Sequence, residues 1–430
     1  MNPVDGGNPA RRKGTMKSAL KLYNTMSRSK EPFESRHGHI VKMFTCGPSV
    51  YRRPHVGNYR TFAWEDLLQR YLAYLGYRVE RVINLTDIED KALAEAERHE
   101  VDVGRLTGEV VDRFVDECRQ LRIDLPEAIP RSSTSVDQAV ELIKVLLEKG
   151  CAYRHKGDIF FDPLKYDGFG RLFGLDMSRW PAGRRRFRRD TYPGRRWNLG
   201  DFILWHGARE GDDPTWNTEI GRGRPAWNIQ DPAIIIKHLG ASIDVCCGGI
   251  DNLYRHHDYN LAVVEAASGV DFARFWIHGE HLLSRGKKMS KSLGNIVYLE
   301  DLLRDGRTPE HVRFFLLYGH HRERMNLTPL RFEKAAARLD ELRSRVKRIL
   351  SDEVAVGRGA MPGDDPAGPM MNDFDRYMND DLNVRSAVDS LMLHMEGIER
   401  LWKAGSLGEA GTQRVKSALM RIDGVLQFLF

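Results

Sequence analysis

A string of eight residues late in the chain has the composition of a phosphate-binding loop. It spans 288–295 and reads KMSKSLGN, directly after Lys287. Ammonium groups and hydroxyls on a flexible loop suit a triphosphate whose negative charge increases during group transfer. A solvated basic loop is the plainer alternative, but the fixed order of the eight residues disfavours it. The candidate phosphate-binding residues are Lys288, Met289, Ser290, Lys291 and Ser292.

A second candidate phosphate site lies near the start of the chain, in the string HVGN at 55–58. The N–H groups and the dipole at a helix N-terminus attract phosphates, and a glycine lets the backbone approach them closely. Taken alone, the four residues favour a simple turn between a strand and a helix. As a nucleotide site, the string would use His55, Gly57 and Asn58.

A third set of residues offers metal ligands at the ends of predicted elements. Thiolate, imidazole and carboxylate groups are the usual zinc ligands. An isolated cysteine or histidine more often packs in the core, so the pattern alone favours packing over zinc. The residues of this set are Cys46, Asp231, Cys246, Cys247, His256 and Asn260.

The elements that must position these groups follow from the apolar pattern. Residues 40–45 and 78–85 are predicted strands, and the apolar spacing over 62–75 predicts a helix between them. Strand, turn, helix and strand make a βαβ unit, whose ligand site lies at the carboxyl end of a parallel sheet. A second α/β stretch is predicted from a helix at 232–239, a strand at 243–247, a helix at 256–268 and a strand at 274–277.

Composition limits the class of protein. The 430 residues carry a net charge of +6 and five cysteines, and 41% of them are hydrophobic. This excludes a disordered chain or a disulfide scaffold, and the few cysteines favour a reducing compartment. We expect a cytoplasmic protein, because the sequence lacks both a secretory signal and an apolar run of about 18 residues that could span a membrane.

Shifts in composition divide the chain into six segments. They are a loose arm (1–18), a first α/β segment with helices (19–150), an insertion that is partly irregular and rich in arginine (151–228), a second α/β segment (229–283), a connecting segment with the lysine-rich loop (284–328) and a helical bundle (329–430). Eight arginines lie within 179–196, interleaved with aromatic residues. That pattern fits either contact with RNA phosphates or a solvated insertion.

An ordered series of strings resembles one family of enzymes. The series comprises FTCGPSVYRRPHVGNYRTF, VINLTDIEDKALAEA, FDPLKYDGFGRL, GDFILW, GGIDNLYRHHDYN and KKMSKSLGN. It resembles the cysteinyl-tRNA synthetases, which are class I aminoacyl-tRNA synthetases. The resemblance covers about residues 20–320 and returns in MNDDLNVRSAVDSLM at 378–392.

This resemblance implies a fold, a reaction and a set of site residues. The fold is α/β, with a Rossmann-like parallel sheet that carries an inserted subdomain and is followed by an α-helical bundle. The reaction uses ATP with Mg²⁺ to convert cysteine into an aminoacyl-adenylate, from which the acyl group passes to tRNA. His55, Asn58, Lys288 and Lys291 would stabilise the phosphates. Gly249 and Asp251 would lie beside the adenosine.

The resemblance also implies a zinc site, which this sequence changes. Cys46 and His256 match two family ligands and, with Trp227 and Asp231, would line the amino-acid pocket. Asp231 stands where the family has a second cysteine, and Asn260 stands where it has a glutamate. One soft sulfur ligand is thereby lost and a carboxylate becomes a poorly ligating amide, so we expect weaker zinc binding or none.

Two alternatives stay open at this point. Cys246 or Cys247 could supply a replacement thiolate, although both more simply pack as small apolar residues. The chain could also be a divergent paralogue without a functional zinc site, which activates another amino acid or acylates an amine or a carrier protein. Family members continue into an anticodon-reading module for which this sequence shows no counterpart. A non-enzymatic binding protein is disfavoured by the presence of both phosphate-binding strings.

Overall fold

The computed structural model describes residues 19–177, 201–351 and 365–430. The predicted N-terminal arm (1–18) and the arginine-rich segment (179–196) lie outside these residues. Strands and helices alternate through the first part of the described chain, and helices dominate the last part. The strands are β1 (Lys21–Asn24), β2 (Ser29–Pro32), β3 (Ile40–Thr45), β4 (Arg78–Ile83), β5 (Ala152–His155), β6 (Asp158–Phe161), β7 (Phe202–Gly207), β8 (Gly223–Pro225), β9 (Ile243–Gly249), β10 (Ala273–Gly279), β11 (Leu282–Ser284), β12 (Lys287–Lys288) and β13 (Met325–Leu327).

Helices connect the strands and then form the C-terminal bundle. They are α1 (Val56–Tyr74), α2 (Asp90–Arg98), α3 (Val103–Gln120), α4 (Val136–Glu148), α5 (Trp227–Leu239), α6 (Asp258–Ser268), α7 (Leu299–Leu302), α8 (Pro309–Leu317), α9 (Pro329–Leu350), α10 (Ala367–Met378), α11 (Val384–Lys403) and α12 (Gly408–Leu426).

The central sheet joins the two predicted α/β stretches. Its four strands are parallel and lie in the order β10-β9-β3-β4. Thr45 in β3 pairs with Cys247 in β9, although 202 residues separate them. The prediction of an α/β fold with one parallel sheet, split by an insertion, is confirmed.

Helices cover both faces of this sheet, as the strand sequences require. Side chains alternate between the faces along each strand. Met43 and Val245 pack with α1 on one face, whereas Phe44 and Trp276 pack with α5 and α6 on the other. Strands buried on both faces read as nearly continuous apolar runs, and this pattern made them recognisable in the sequence.

The insertion contains a second sheet. The sequence predicts a partly irregular insertion over 151–228, and in the residues that the structure describes β7 and β8 extend an antiparallel sheet in the order β5-β6-β7-β8. Five of the six residues of β7 are buried, because this strand is central in its sheet. The insertion sheet packs against α4, α5 and α6 through one shared core.

Several predicted boundaries are wrong, and two of them matter for the site. Helix α5 begins at Trp227 rather than at 232 and carries Pro232 in its interior, so Asp231 lies within the helix. Helix α6 begins at Asp258, which leaves His256 in an irregular turn instead of on the helix. Strand β13, in the connecting segment (284–328), pairs with β11.

The helical bundle is joined to the central sheet through α1. Arg313 in α8 is buried, donates to Asp66 Oδ2 of α1 at 2.6 Å and donates to the Leu426 carbonyl at 2.8 Å. A buried, hydrogen-bonded ion pair of this kind holds its elements in one arrangement, because a misplaced partner would leave an uncompensated charge. In the described parts of the chain, none of the helices combines the length and apolar character needed to cross a membrane.

Candidate active site

The predicted site residues converge at one edge of the central sheet. Cys46, Asn84 and Gly249 lie at the carboxyl ends of β3, β4 and β9, and ligand sites of parallel sheets form at this edge. A cleft of about 1100 Å³ opens there. The predicted residues that line it are Cys46, His55, Asn58, Trp227, Gly249, Asp251, His256, Met289, Ser290 and Lys291.

His55 and Asn58 form the N-terminal end of helix α1. The backbone N–H of His55 donates to Asn58 Oδ1 at 2.9 Å, so that the asparagine caps the helix. His55 Nδ1 is buried and has no hydrogen-bond partner among the described residues. Burial and the charge of Lys288 lower the pKa of His55, and its imidazole is therefore neutral at pH 7.

Gly57 brings the two phosphate-binding strings into contact. A Cβ at this position would lie 2.9 Å from His55 Cε1 and 3.7 Å from Met289 Sδ. The first distance is too short for any side chain, and the second is an ordinary contact with the lysine-rich string. Glycine at this position therefore leaves room for the imidazole of His55 beside Met289.

The lysine-rich string lies over the cleft in a defined loop. It follows the β11–β12 hairpin and is closed by Asn295, whose Oδ1 accepts from Ser290 N at 2.9 Å. Lys291 and Ser292 are exposed on the loop. This arrangement presents an ammonium group and hydroxyls to the cleft without a deeply buried charge.

Lys288 is bonded to the turn after β9. Its Nζ donates to Asp251 Oδ2 at 2.9 Å, and both side chains are about half exposed. Partial burial tends to raise the pKa of Asp251, but the hydrogen bond and charge of Lys288 hold it below its usual value. The lysine-rich loop and the predicted adenosine site are thus in direct contact.

A second contact joins helix α7 and the residue before it, which follow this loop, to Arg53, and the sequence analysis did not identify it. Arg53 Nη1 donates to Glu300 Oε1 at 2.6 Å, and its guanidinium lies over the Tyr298 ring at 4.5 Å. Arg53 also pairs with Glu117 at 2.6 Å. No local pattern marks the Arg53–Glu300 pair, because 247 residues separate its members.

Cys46 and His256 line the floor of the cleft, and Asp231 is buried next to them. His256 Nε2 lies 2.8 Å from Asp231 Oδ2 and 3.0 Å from Cys46 Sγ, and the sulfur lies 3.8 Å from the same carboxylate oxygen. The Trp227 ring stacks on His256 at 5.2 Å. Arg255 has a φ of 71°, a strained value for a residue with a side chain, in the irregular turn that carries His256.

Two asparagines hold Asp231 in place. Asn84 Nδ2 donates to Asp231 Oδ1 at 2.6 Å, and Asn260 Nδ2 donates to Oδ2 at 3.4 Å. Asn84 also accepts from Gly47 N at 2.7 Å and so ties the turn after Cys46 to helix α5. Asn260 therefore orients the carboxylate rather than replacing the family glutamate. The position of Asn84, near the carboxyl end of a predicted strand, is the signal that could have identified it.

Cys246 and Cys247 are fully buried on opposite faces of β9. Cys247 Sγ donates to the Phe44 carbonyl at 3.4 Å. In the described chain, neither sulfur belongs to the group of candidate metal ligands that contains Cys46. Packing is therefore the role that the structure gives both cysteines. Burial and the neighbouring Asp231 raise the pKa of the Cys46 thiol well above its ordinary value.

Comparison with known proteins identifies the family. The family model described as tRNA synthetases class I (C) catalytic domain matches residues 32–337. A Cysteine--tRNA ligase of Chlamydia pneumoniae is 35% identical over 95% of this chain and 86% of its own length. That of Solibacter usitatus is 33% identical over 96% of this chain and 87% of its own.

Solved structures show the same fold at lower identity. A Mycobacterium tuberculosis methionyl-tRNA synthetase bound to methionyl-adenylate has a TM-score of 0.64 and 17% identity, and covers 91% of this chain and 90% of that chain. A putative arginyl-tRNA synthetase from Campylobacter jejuni has a TM-score of 0.58 and 11% identity, with 90% and 92% covered. The resemblance predicted from the motif series is confirmed: the chain belongs to the cysteine--tRNA ligase family of class I tRNA synthetases.

Proposed function

We propose that this chain activates cysteine with ATP and transfers the cysteinyl group to tRNA. The main support for the proposal is that HVGN and KMSKS lie together over one cleft in a member of this family. Gly57 lies between His55 and Met289. The relatives named above do not favour the alternative of a paralogue with another substrate. A cytoplasmic location stays a prediction from composition.

In the first step, an oxygen of the cysteine carboxylate attacks the α-phosphorus of ATP. A bond forms between that oxygen and phosphorus, the bond to the bridging oxygen breaks, and pyrophosphate leaves with the electron pair. Charge develops on the phosphate oxygens, where His55, Lys291 and the positive end of α1 would stabilise it. Mg²⁺, which the family implies, accompanies the triphosphate.

Lys288 would change partner during this step. It is bonded to Asp251 in the structure. The phosphates of ATP would compete for its ammonium group, while the Asp251 carboxylate becomes free to accept a hydrogen bond from a ribose hydroxyl. Exchange of one partner for another costs less than the desolvation of an unpaired charge.

In the second step, a terminal ribose hydroxyl of tRNA attacks the carbonyl carbon of the adenylate. An ester bond forms, the mixed anhydride bond breaks, and AMP leaves with the proton of the attacking hydroxyl. This step needs positioning rather than a protein nucleophile.

Zinc is implied by the resemblance, and the chemistry of the floor fits it. Two ligands of a tetrahedral zinc ion lie roughly 3.3–3.6 Å apart. The three spacings among Cys46 Sγ, Asp231 Oδ2 and His256 Nε2 are 2.8, 3.0 and 3.8 Å and bracket this range. These three residues would hold the ion, which when bound supplies a Lewis-acid contact for a thiolate.

Amino-acid-dependent exchange of pyrophosphate into ATP, followed by acylation of tRNA, tests the proposal. The panel contains cysteine, serine and the other standard amino acids. Lys291→Ala should lower the cysteine-dependent exchange rate by about 10²-fold. Lys287→Ala removes a neighbouring exposed lysine on the same hairpin and should leave the rate within about twofold. Exchange with another amino acid instead of cysteine would overturn the proposal.

A further inference from the structure

We propose that His257 is the fourth metal-binding residue of this chain and takes the place of the ligands that the sequence lacks. The site would then be a Cys46, Asp231, His256 and His257 set for a zinc ion. The inference deepens the proposed function and rests on it.

The first observation is an unpartnered nitrogen. His257 is fully buried, and its Nε2 has no hydrogen-bond partner in the residues that the structure describes. A buried polar atom without a partner costs about 1–3 kcal/mol, so such atoms call for an explanation. A metal ion that accepts the nitrogen lone pair would satisfy this atom.

The second observation is the position of that side chain. Ligand atoms of Cys46, His256 and His257 all lie within 4.8 Å of one another. The ring centroids of the two histidines are 5.5 Å apart and tilted by 31°, so the rings are not stacked face to face. Asp231 adds a carboxylate oxygen within 3.8 Å of both Cys46 and His256. Asp231, Cys46 and His256 are therefore mutually close, and His257 lies beside Cys46 and His256 as a fourth donor of a type that zinc binds.

The third observation is the support behind His257. Its Nδ1 lies 2.8 Å from His278 Nε2, and His278 Nδ1 lies 2.8 Å from Thr25 Oγ1. A histidine that binds a metal through one nitrogen commonly has the other nitrogen held by a hydrogen bond, which fixes the orientation of the ring. The hydrogen bonds that run from Thr25, in the β1–β2 turn, through His278, in β10, to His257 provide such support.

A backbone constraint keeps this ring in position. A Cβ at Gly248 would lie 3.1 Å from His257 Cε1 and 3.4 Å from Nε2. The glycine therefore leaves the room that the imidazole occupies below β9. His256 and His257 are consecutive, and in a regular helix their side chains would point about 100° apart. The strained turn at Arg255 lets both side chains face the same site.

The change of ligands alters the charge of the site. One thiolate, one carboxylate and two neutral imidazoles would balance the charge of Zn²⁺. A neutral metal site attracts a substrate thiolate more strongly than a site with surplus negative charge. The site would thus still select cysteine although it lacks the second thiolate and the glutamate of the family, because the substrate would supply a second sulfur ligand.

Metal binding by the purified full chain tests the inference. Zinc content is measured by mass spectrometry, and the absorption spectrum is recorded after replacement with Co²⁺. Wild type should hold one equivalent, with a tetrahedral Co²⁺ spectrum that includes a thiolate band. His257→Gln should lower zinc affinity by at least about 10-fold in competition with a chelator. The control His206→Gln makes the same change at another buried histidine, on β7, and should leave affinity unchanged.

A rescue variant separates ligation from folding. His257→Gln combined with Asp231→Cys should regain zinc and strengthen the thiolate band, because a second sulfur ligand replaces the lost imidazole. An unchanged metal affinity and spectrum in His257→Gln would overturn the inference, as would wild type that binds neither metal. Cysteine-dependent exchange by such a metal-free protein would leave the proposed function intact, whereas metal binding without exchange would contradict that function alone.

Discussion

Lys288 Nζ lies 2.9 Å from Asp251 Oδ2, so the lysine-rich loop is bonded to the turn after strand β9. Both partners belong to the predicted ATP site, and both side chains are more than half exposed. An exposed pair of this kind contributes at most about 1 kcal/mol to stability. The pair therefore matters for the position of the loop rather than for the stability of the fold.

Asp251→Asn should weaken ATP binding without weakening the fold. The variant removes the charge that holds Lys288 and the carboxylate that would face the ribose. We expect the KM for ATP in the exchange reaction to rise by about 10-fold, while the free energy of unfolding changes by less than about 0.5 kcal/mol. An unchanged KM, measured alongside the Lys287→Ala control, would contradict this role.

Gly57→Ala should lower activity without lowering stability. The new Cβ would lie 2.9 Å from His55 Cε1, and the imidazole must move. We expect kcat/KM for exchange to fall by at least about 10-fold, since small misplacements of a catalytic group are costly. Gly108→Ala is the matched control, because its Cβ would meet nothing within 4 Å on helix α3. Urea unfolding should show both variants at least as stable as wild type, as alanine favours helix.

Glu300→Gln should loosen the contact between helix α7, which follows the lysine-rich loop, and Arg53, which lies just before HVGN. It removes the charge that pairs with Arg53 at 2.6 Å. We expect kcat for exchange to fall by about fivefold relative to wild type. This difference should become smaller at high salt, because salt screens the ion pair of the wild type. The control Glu109→Gln removes an exposed pair with Arg105 on α3. Equal effects of the two substitutions would show that the Arg53 pair has no positioning role.

Asp381 should make stability depend on pH. Burial tends to raise its pKa, but hydrogen bonds from His320 and the Tyr23 N–H and the charge of Arg322 hold it well below 3.8. A lowered pKa means stability that is present above about pH 4 and is lost as the pH falls further. Asp381→Asn should cost roughly 3 kcal/mol at pH 7.

Denaturant unfolding between pH 7 and pH 3 checks this prediction. The gap between wild type and Asp381→Asn should narrow as the pH falls below about 4, because the carboxylate then takes up a proton in the unfolded state while it stays ionised in the folded state. Asp380→Asn is the neighbouring control, since Asp380 is 54% exposed and pairs with Lys30 at the surface. A gap that stays constant with pH would mean that the carboxylate charge is not the cause.

The sequence was informative where one local pattern decides the outcome. Apolar runs mark β3, β4, β9 and β10, because each is buried on both faces of the sheet. The rule that parallel strands end at a common edge then predicts that Cys46 and the residues after β9 lie together. The lysine-rich string is a local pattern as well, so it could be recognised without any structure.

The rest of the site depends on contacts that local patterns do not encode. Asn84 acquires its role from Asp231, which lies 147 residues away. His257 resembles any core histidine until its unpartnered nitrogen is seen beside Cys46. Helix α5 begins early because Trp227 and its neighbours pack into the insertion core, and that packing outweighs the tendency of Pro232 to interrupt a helix.

The pairing of β3 with β9 sets the order in which this chain can fold. Strand β3 is complete once residue 45 is made, but its neighbour β9 begins at Ile243. At ribosomal rates of about 5–20 residues per second, roughly 200 residues take about 10–40 s. During that time, one edge of a flat, apolar strand stays open to pairing with other chains. A ribosome that stalls before residue 243 would therefore release an aggregation-prone fragment instead of an independently folded half.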